Sequence, residues 1–304
     1  MAINTGAIAN LLRPGLAAIL SEQPKYPTQW SEIFEVYESD KAQEIEVEMK
    51  MLGLAQIRSE GAATAFDTMG QRIITNYLHQ WVALGFVITR QAIEDNLYKS
   101  YFPMGARALR DSLNQTKEVL GASILNNGFN SAYPVGDGQA LFSTAHPIDG
   151  GTYANTPSVP SDLNEASLEQ AIIGIQQFRD QAGLIIRVQP QKLVVGPQNQ
   201  FTSDRLLGSQ FRTNTANNDI SAVYNMSAVP HGYRVNQFIT QINSPAVNTW
   251  FLLTDASQGF KHYVRTKAET DVYTDFSTDN LQCKAVERYS FGVTNPRAAW
   301  GNHG

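Results

Sequence analysis

The sequence predicts an α+β fold in which strands and helices occupy separate stretches of chain. Three observations carry that prediction. Residues 43–52 alternate apolar and charged side chains with period two. Residues 103–127 carry an apolar stripe at helical spacing and end in Asn126-Asn127-Gly128. From Tyr133 to Pro147 the chain passes through turn chemistry into a short apolar stretch.

Taken in order, residues 1–40 read as an arm. Ile8 to Leu20 forms a short helix with Leu11, Leu12, Leu16 and Ile19 apolar. Pro24 and Pro27 then force an extended path, and Trp30 and Phe34 are large apolar anchors. In the strand over 43–52, Ile45, Val47, Met49 and Met51 fall on one face, and Glu44, Glu46, Glu48 and Lys50 on the other. Gly53 to Gly70 breaks the pattern around Gly61-Ala62-Ala63-Thr64. A second strand-like segment spans roughly Arg72 to Thr89. The pair forms a long two-stranded flap. An isolated hairpin is marginal in water, so it lies either on a partner or on its own core, and periodicity leaves both open.

Pro103 is placed as the first residue of a helix that presents Leu109, Leu113, Leu120 and Ile124, widened by Met104, Ala106 and Val119. Asp111, Asn114, Lys117 and Glu118 mostly face away. Tyr133-Pro134-Val135-Gly136-Asp137-Gly138 is a turn, Leu141-Phe142 a short strand closed by His146-Pro147, and Asp149 to Ser161 a boundary loop. Asn164 or Ser161 caps the next helix, whose apolar face is Leu168, Ile172, Ile175 and Phe178. Gly183–Val188 and Lys192–Val195 read as strands. Gly196-Pro197 leads into a helix with Phe201, Leu206 and Leu207, and residues 208–219 form a polar loop. Strands near Arg234-Val235 and Trp250–Leu253 follow. The segment from 260 to 300 is strand-rich, at 262–265, 270–273 and 281–293.

Composition narrows the function. Only 17% of residues are charged, against roughly a quarter in average domains. The remaining neutral polar surface suits extensive subunit contact, because uncharged groups cost less to desolvate. The net charge is −5 with no basic stripe, which argues against a phosphate-tracking nucleic-acid binder. Cys283 is the only cysteine, so no intrachain disulfide forms, and the five histidines lack metal spacing. The amino terminus reads neither as a signal peptide nor as a membrane span.

No enzyme motif competes. Ser143 and His146 stand three residues apart on a strand, where their side chains point to opposite faces. Gly136-x-Gly138 lacks a third glycine. Glu94-Asp95 has no second carboxylate cluster and reads as a solvated or ion-paired face. Cys283 reads as core. No catalytic, cofactor-binding or metal-ligating residue is therefore assigned.

The order of elements, with Arg90-x-x-Ile93-Glu94-Asp95 before the long helix, Asp137-Gly138-x-x-Leu141-Phe142 and His146-Pro147 after it, and Leu193-Val194-Val195-Gly196-Pro197 further on, resembles the Hong Kong 97 fold of tailed-phage major capsid proteins. The resemblance is closest to the Mu-like major head subunit group. It implies an N-terminal arm at 1–40, an extended loop hairpin at 41–88, a spine helix and peripheral domain at 89–160, an axial domain at 161–255, and peripheral return strands with the C-terminus at 256–304. It also implies a non-enzymatic subunit that assembles as hexamers and pentamers into an icosahedral shell around double-stranded DNA, with residues 208–219 near the capsomer axis. The expected partners are copies of itself, a separate scaffolding protein, a portal and a decoration protein. The DNA is enclosed without sequence-specific binding, and no membrane is involved. The expected location is the virion, after synthesis in the bacterial host cytoplasm. Some members crosslink a Lys of the extended loop to a neighbour's Asn; Lys50, on a strand face, is not assigned that role. The alternatives are an encapsulin-type compartment shell, which shares the fold, and a soluble hydrolase using His146.

Overall fold

The computed structural model describes residues 5–22, 26–95, 98–211, 219–239 and 248–304. In chain order the helices are α1 (Thr5–Ser21), α2 (Arg90–Glu94), α3 (Tyr98–Asn126), α4 (Glu165–Gln176), α5 (Gln200–Gly208) and α6 (Ala222–Asn225). The strands are β1 (Glu35–Glu38), β2 (Gln43–Lys50), β3 (Gly70–Leu78), β4 (Gln80–Ile88), β5 (His146–Ile148), β6 (Gly151–Tyr153), β7 (Pro190–Val195), β8 (Tyr233–Val235), β9 (Trp250–Thr254), β10 (Phe260–Thr274), β11 (Leu281–Val293) and β12 (Ala299–Asn302). The predicted loop at 208–219 lies largely outside the described residues, since 212–218 are not among them.

The chain divides into two compact, discontinuous units. The first comprises residues 1–44, 77–121 and 262–291. Its sheet runs β1-β10-β11-β4, with β11 and β4 antiparallel from Leu281↔Ile88 to Tyr289↔Gln80. One core joins Leu16 of α1 to Ile88, Phe102, Ala106, Leu109, Leu113, Leu281 and Cys283. A neighbouring aromatic group stacks His262 on Phe291 at 4.1 Å and sets Trp30 edge-on to His262 at 4.8 Å. Trp30 and Phe34 thus anchor on their own chain.

Three details of this unit depart from the sequence reading. The segment read as one strand from 72 to 89 is two strands divided at His79. That ring is buried between Ser39 Oγ (3.1 Å) and Ser290 Oγ (3.0 Å), so β4 pairs with β11 rather than continuing the flap. Pro103 sits inside α3, where it removes one backbone donor; the burial of Phe102, Ala106 and Leu109 on either side offsets that loss. The α3 stripe is also rotated from the expected one. Met104 and Val119 are exposed, whereas Glu118 is buried. Glu118 accepts the backbone N–H groups of Gln29 (2.7 Å) and Trp30 (2.9 Å). Burial pushes its carboxyl up, against the pull of those two donors.

The second unit comprises residues 45–76, 122–261 and 292–304. Its sheet runs β12-β9-β7-β8. β7 is antiparallel to β9 (Leu193↔Leu252) and parallel to β8 (Leu193↔Tyr233). Buried on both faces, β7 and β9 read as continuous apolar runs, Leu193-Val194-Val195 and Trp250-Phe251-Leu252-Leu253. Helix α4 begins at Asn164, whose side chain accepts from Ser167 N while Ser167 Oγ accepts from Asn164 N. This reciprocal capping aims Leu168, Ala171, Ile175 and Phe178 at the core beside Trp300. The predicted strand at 183–188 is only an isolated bridge, Arg179↔Ile185. Leu141-Phe142 is buried but forms no strand; the ladder starts at His146, paired with Tyr153. Phe142 fills the space that a side chain at Gly128 or Gly301 would need, with its ring 2.6 Å from an ideal Cβ at either position. The final strand, β12, pairs with β9 and so closes this sheet from the far end of the sequence.

Candidate functional site

Among the described residues, the β2–β3 hairpin and its loop carry a large set of exposed apolar side chains. β2 alternates as the sequence requires, but its orientation is inverted. Ile45 and Met49 are exposed, and Met51 and Leu52 continue the exposed apolar face into the connecting loop. Further along, Leu54 is 81% exposed, Ile57 104% and Phe66 94%. The loop tip turns at Gly61, whose positive φ of 79° suits glycine. At its neck, Asp67 Oδ2 accepts from Gly53 N at 2.8 Å. This bond and that from Thr68 N hold the Asp67 carboxyl below the usual range. Seven large apolar side chains thus stand exposed between residues 45 and 66, more than a monomer usually leaves to water along one segment.

The charged face of β2 points the other way, into its own unit. Lys261 Nζ donates to Glu46 Oε2 at 2.6 Å, and Thr294 Oγ1 donates to the same oxygen at 2.5 Å. Arg297 Nη1 donates to Glu48 Oε1 at 2.8 Å. Lys50 Nζ donates to Asp149 Oδ2 at 2.5 Å. That last pair raises the Lys50 ammonium and lowers the Asp149 carboxyl. Arg297 has a side-chain exposure of 1%. Its Nε donates to Arg179 O, its Nη1 also reaches Asn295 Oδ1, and its guanidinium lies 4.3 Å from the Tyr153 ring centroid.

The other residues singled out by sequence serve as structure. His146 is buried with Nδ1 2.6 Å from Asp137 Oδ2 and Nε2 3.1 Å from Asn155 Oδ1. The network ties the Asp137-Gly138 turn, where Gly138 has φ +81°, to the β5–β6 hairpin. Ser143 is not part of a nucleophilic pair: its Oγ accepts from Ala145 N, and its backbone N donates to Asn155. Glu94 pairs with Arg90 at 2.8 Å within α2. Cys283 is buried in β11, and burial pushes its thiol up to about 11. Among the described residues, no group of three or more His, Cys, Asp or Glu is placed to hold a metal. No described helix is long and apolar enough to cross a membrane.

Lys261, Thr294 and Arg297 carried no signal in the sequence. They lie some 200 residues or more from β2, and nothing local marks them as its partners.

Comparison with known proteins places the arrangement. The family model described as phage capsid protein matches residues 74–302. Among solved structures, the capsid of bacteriophage JBD30 decorated with minor capsid protein trimers is 13% identical with a TM-score of 0.58, covering 79% of this chain and 100% of that one. The capsid of Myoviridae phage XM1 is 10% identical with a TM-score of 0.55, covering 93% and 94%. A virus-like particle from Pyrococcus furiosus is 12% identical with a TM-score of 0.56, covering 96% and 98%. At these identities the solved structures establish the shared Hong Kong 97-type fold. No curated protein matches the sequence. The family model spans about three quarters of the chain, and the chain belongs to the phage capsid protein family.

Proposed function

We propose that the chain is the major head subunit of a tailed phage and forms a shell of hexamers and pentamers around double-stranded DNA. The observation that carries this is the outward apolar face of the β2–β3 hairpin and its loop, from Ile45 through Ile57 and Phe66. Its own unit does not cover it, so a neighbouring copy supplies the cover. In this reading the hairpin Gln43–Leu78 lies across an adjacent subunit, α3 is the spine, and residues 161–255 lie toward the capsomer axis. A separate scaffolding protein, a portal and a decoration protein are further partners in the same reading. The net charge of −5 fits containment of DNA by geometry rather than by phosphate contacts.

Negative-stain microscopy of the purified chain tests this. Rings, tubes or shells are expected. A monodisperse monomer at high concentration, with no assembly under any scaffold or crowding condition, overturns it. Nucleic acid rather than a cargo enzyme inside particles made in infected cells separates a phage head from an encapsulin-type compartment.

A further inference from the structure

A half-buried strand normally turns its apolar residues inward. β2 does the reverse, and three cationic or acidic partners from the body of the same unit meet its charged face. We propose that Lys261, Arg297 and Asp149 are positioning residues for assembly. They clamp the polar face of the hairpin to its own subunit and so commit the apolar face to a second copy of the chain. The proposal rests on the shell-subunit reading above.

The socket is built independently of the hairpin. Arg297 is held by Arg179 O and by Asn295 Oδ1, and its guanidinium faces the Tyr153 ring. Asn295 also caps the short turn carrying Arg297, accepting from Arg297 N at 3.1 Å. A guanidinium fixed in this way and 1% exposed needs an anion, and Glu48 is the anion that reaches it. Sliding β2 by one residue would put Val47 or Met49 against Arg297 and leave that cation buried and unpaired. The same logic holds at Lys261, whose side chain is 7% exposed and faces Glu46. The clamp is graded. Arg297–Glu48 and Lys261–Glu46 are its enclosed pairs, and Lys50–Asp149, with Asp149 45% exposed, is its solvated outer pair. The outer pair therefore weakens first with added salt. A two-stranded hairpin is marginal alone, so the clamp decides whether β2 and β3 stay in register before a neighbour arrives.

The test uses the full chain. Glu46→Gln with Glu48→Gln keeps side-chain shape, removes both enclosed anions and leaves Lys261 and Arg297 without their counter-charges. Hydrogen–deuterium exchange of the unassembled subunit should rise at least tenfold over residues 45–50 while β7 and β9 exchange as in the wild type. Assembly yield should fall severalfold. Lys50→Asp and Asp149→Lys should each lower assembly, and their combination should restore it, a rescue that a merely structural role at either site does not produce. Wild-type exchange over 45–50 in the Gln variant overturns the clamp, and so does absence of rescue in the charge swap. If the Gln variant loses protection in β7 and β9 as well, the charge swap decides. Failure of the wild-type chain to assemble overturns the shell reading alone, and the exchange comparison still decides the clamp.

Discussion

Phe66→Ala combined with Ile57→Ala separates a surface waiting for a neighbour from one that serves the subunit itself. Phe66 is 94% exposed and Ile57 104%, so truncating them removes almost no burial within the subunit. The isolated chain should unfold within the range of a surface substitution, about ±0.5 kcal/mol each. In a shell where a neighbour covers both, each side chain contributes about 1.5–3 kcal/mol of burial. Losing both weakens each contact by about 3–6 kcal/mol, or roughly a hundred- to ten-thousandfold at about 1.4 kcal/mol per decade. The assay is the protein concentration at which particles form, read by sedimentation with microscopy of the pelleted material, beside a thermal unfolding curve of the subunit. An unchanged assembly threshold refutes the reasoning. So does a large fall in subunit stability with assembly otherwise intact, because it would mean that the loop serves its own fold.

Gly174→Ala should destabilise the second unit despite alanine's better helix propensity. A Cβ there falls 2.5 Å from two carbons of the buried Trp300 ring; overpacking of about 1–3 kcal/mol outweighs a propensity gain of about 1 kcal/mol. Urea unfolding should show a net loss, and a gain in stability contradicts the packing described for α4. Cys283 should resist a thiol reagent at pH 8 in the native protein, because burial raises its thiol to about 11; stoichiometric labelling without denaturant contradicts its place in the core. His262 is held down to about 4 by burial, below its ordinary value. The unfolded chain therefore binds the proton first, and the stability from the neutral ring, present above about pH 6.5, is lost as pH falls toward 4 at up to about 1.4 kcal/mol per pH unit. His262→Phe should flatten that part of the stability profile in denaturant titrations from pH 7 to 4.5; an identical slope in the variant sinks the assignment.

Much of the fold is legible in local pattern. The alternation of Ile45, Val47 and Met49 with Glu44, Glu46 and Glu48 is a strand wherever it lies. Leu109 and Leu113 mark a buried helical face, Asn164 marks a helix start, and Gly138 a left-handed turn. These follow from backbone sterics and side-chain spacing, which act within a few residues. Even the candidate site was half visible, because an amphipathic hairpin with an arm before it and a long helix after it poses the question of what covers it.

What the chain's own letters determine here is therefore the set of elements, their order and the two faces of β2. The tertiary structure alone decides which face turns inward. That choice rests on Lys261, Thr294 and Arg297, which meet Glu46 and Glu48 across more than 200 residues of sequence. In the same way Ser39 and Ser290 decide that the run from 72 to 89 breaks at His79. Periodicity says that a strand has an apolar and a charged side. The side that is buried is settled by the electrostatic cost of leaving a distant, enclosed cation without its partner, and no local pattern records that cost.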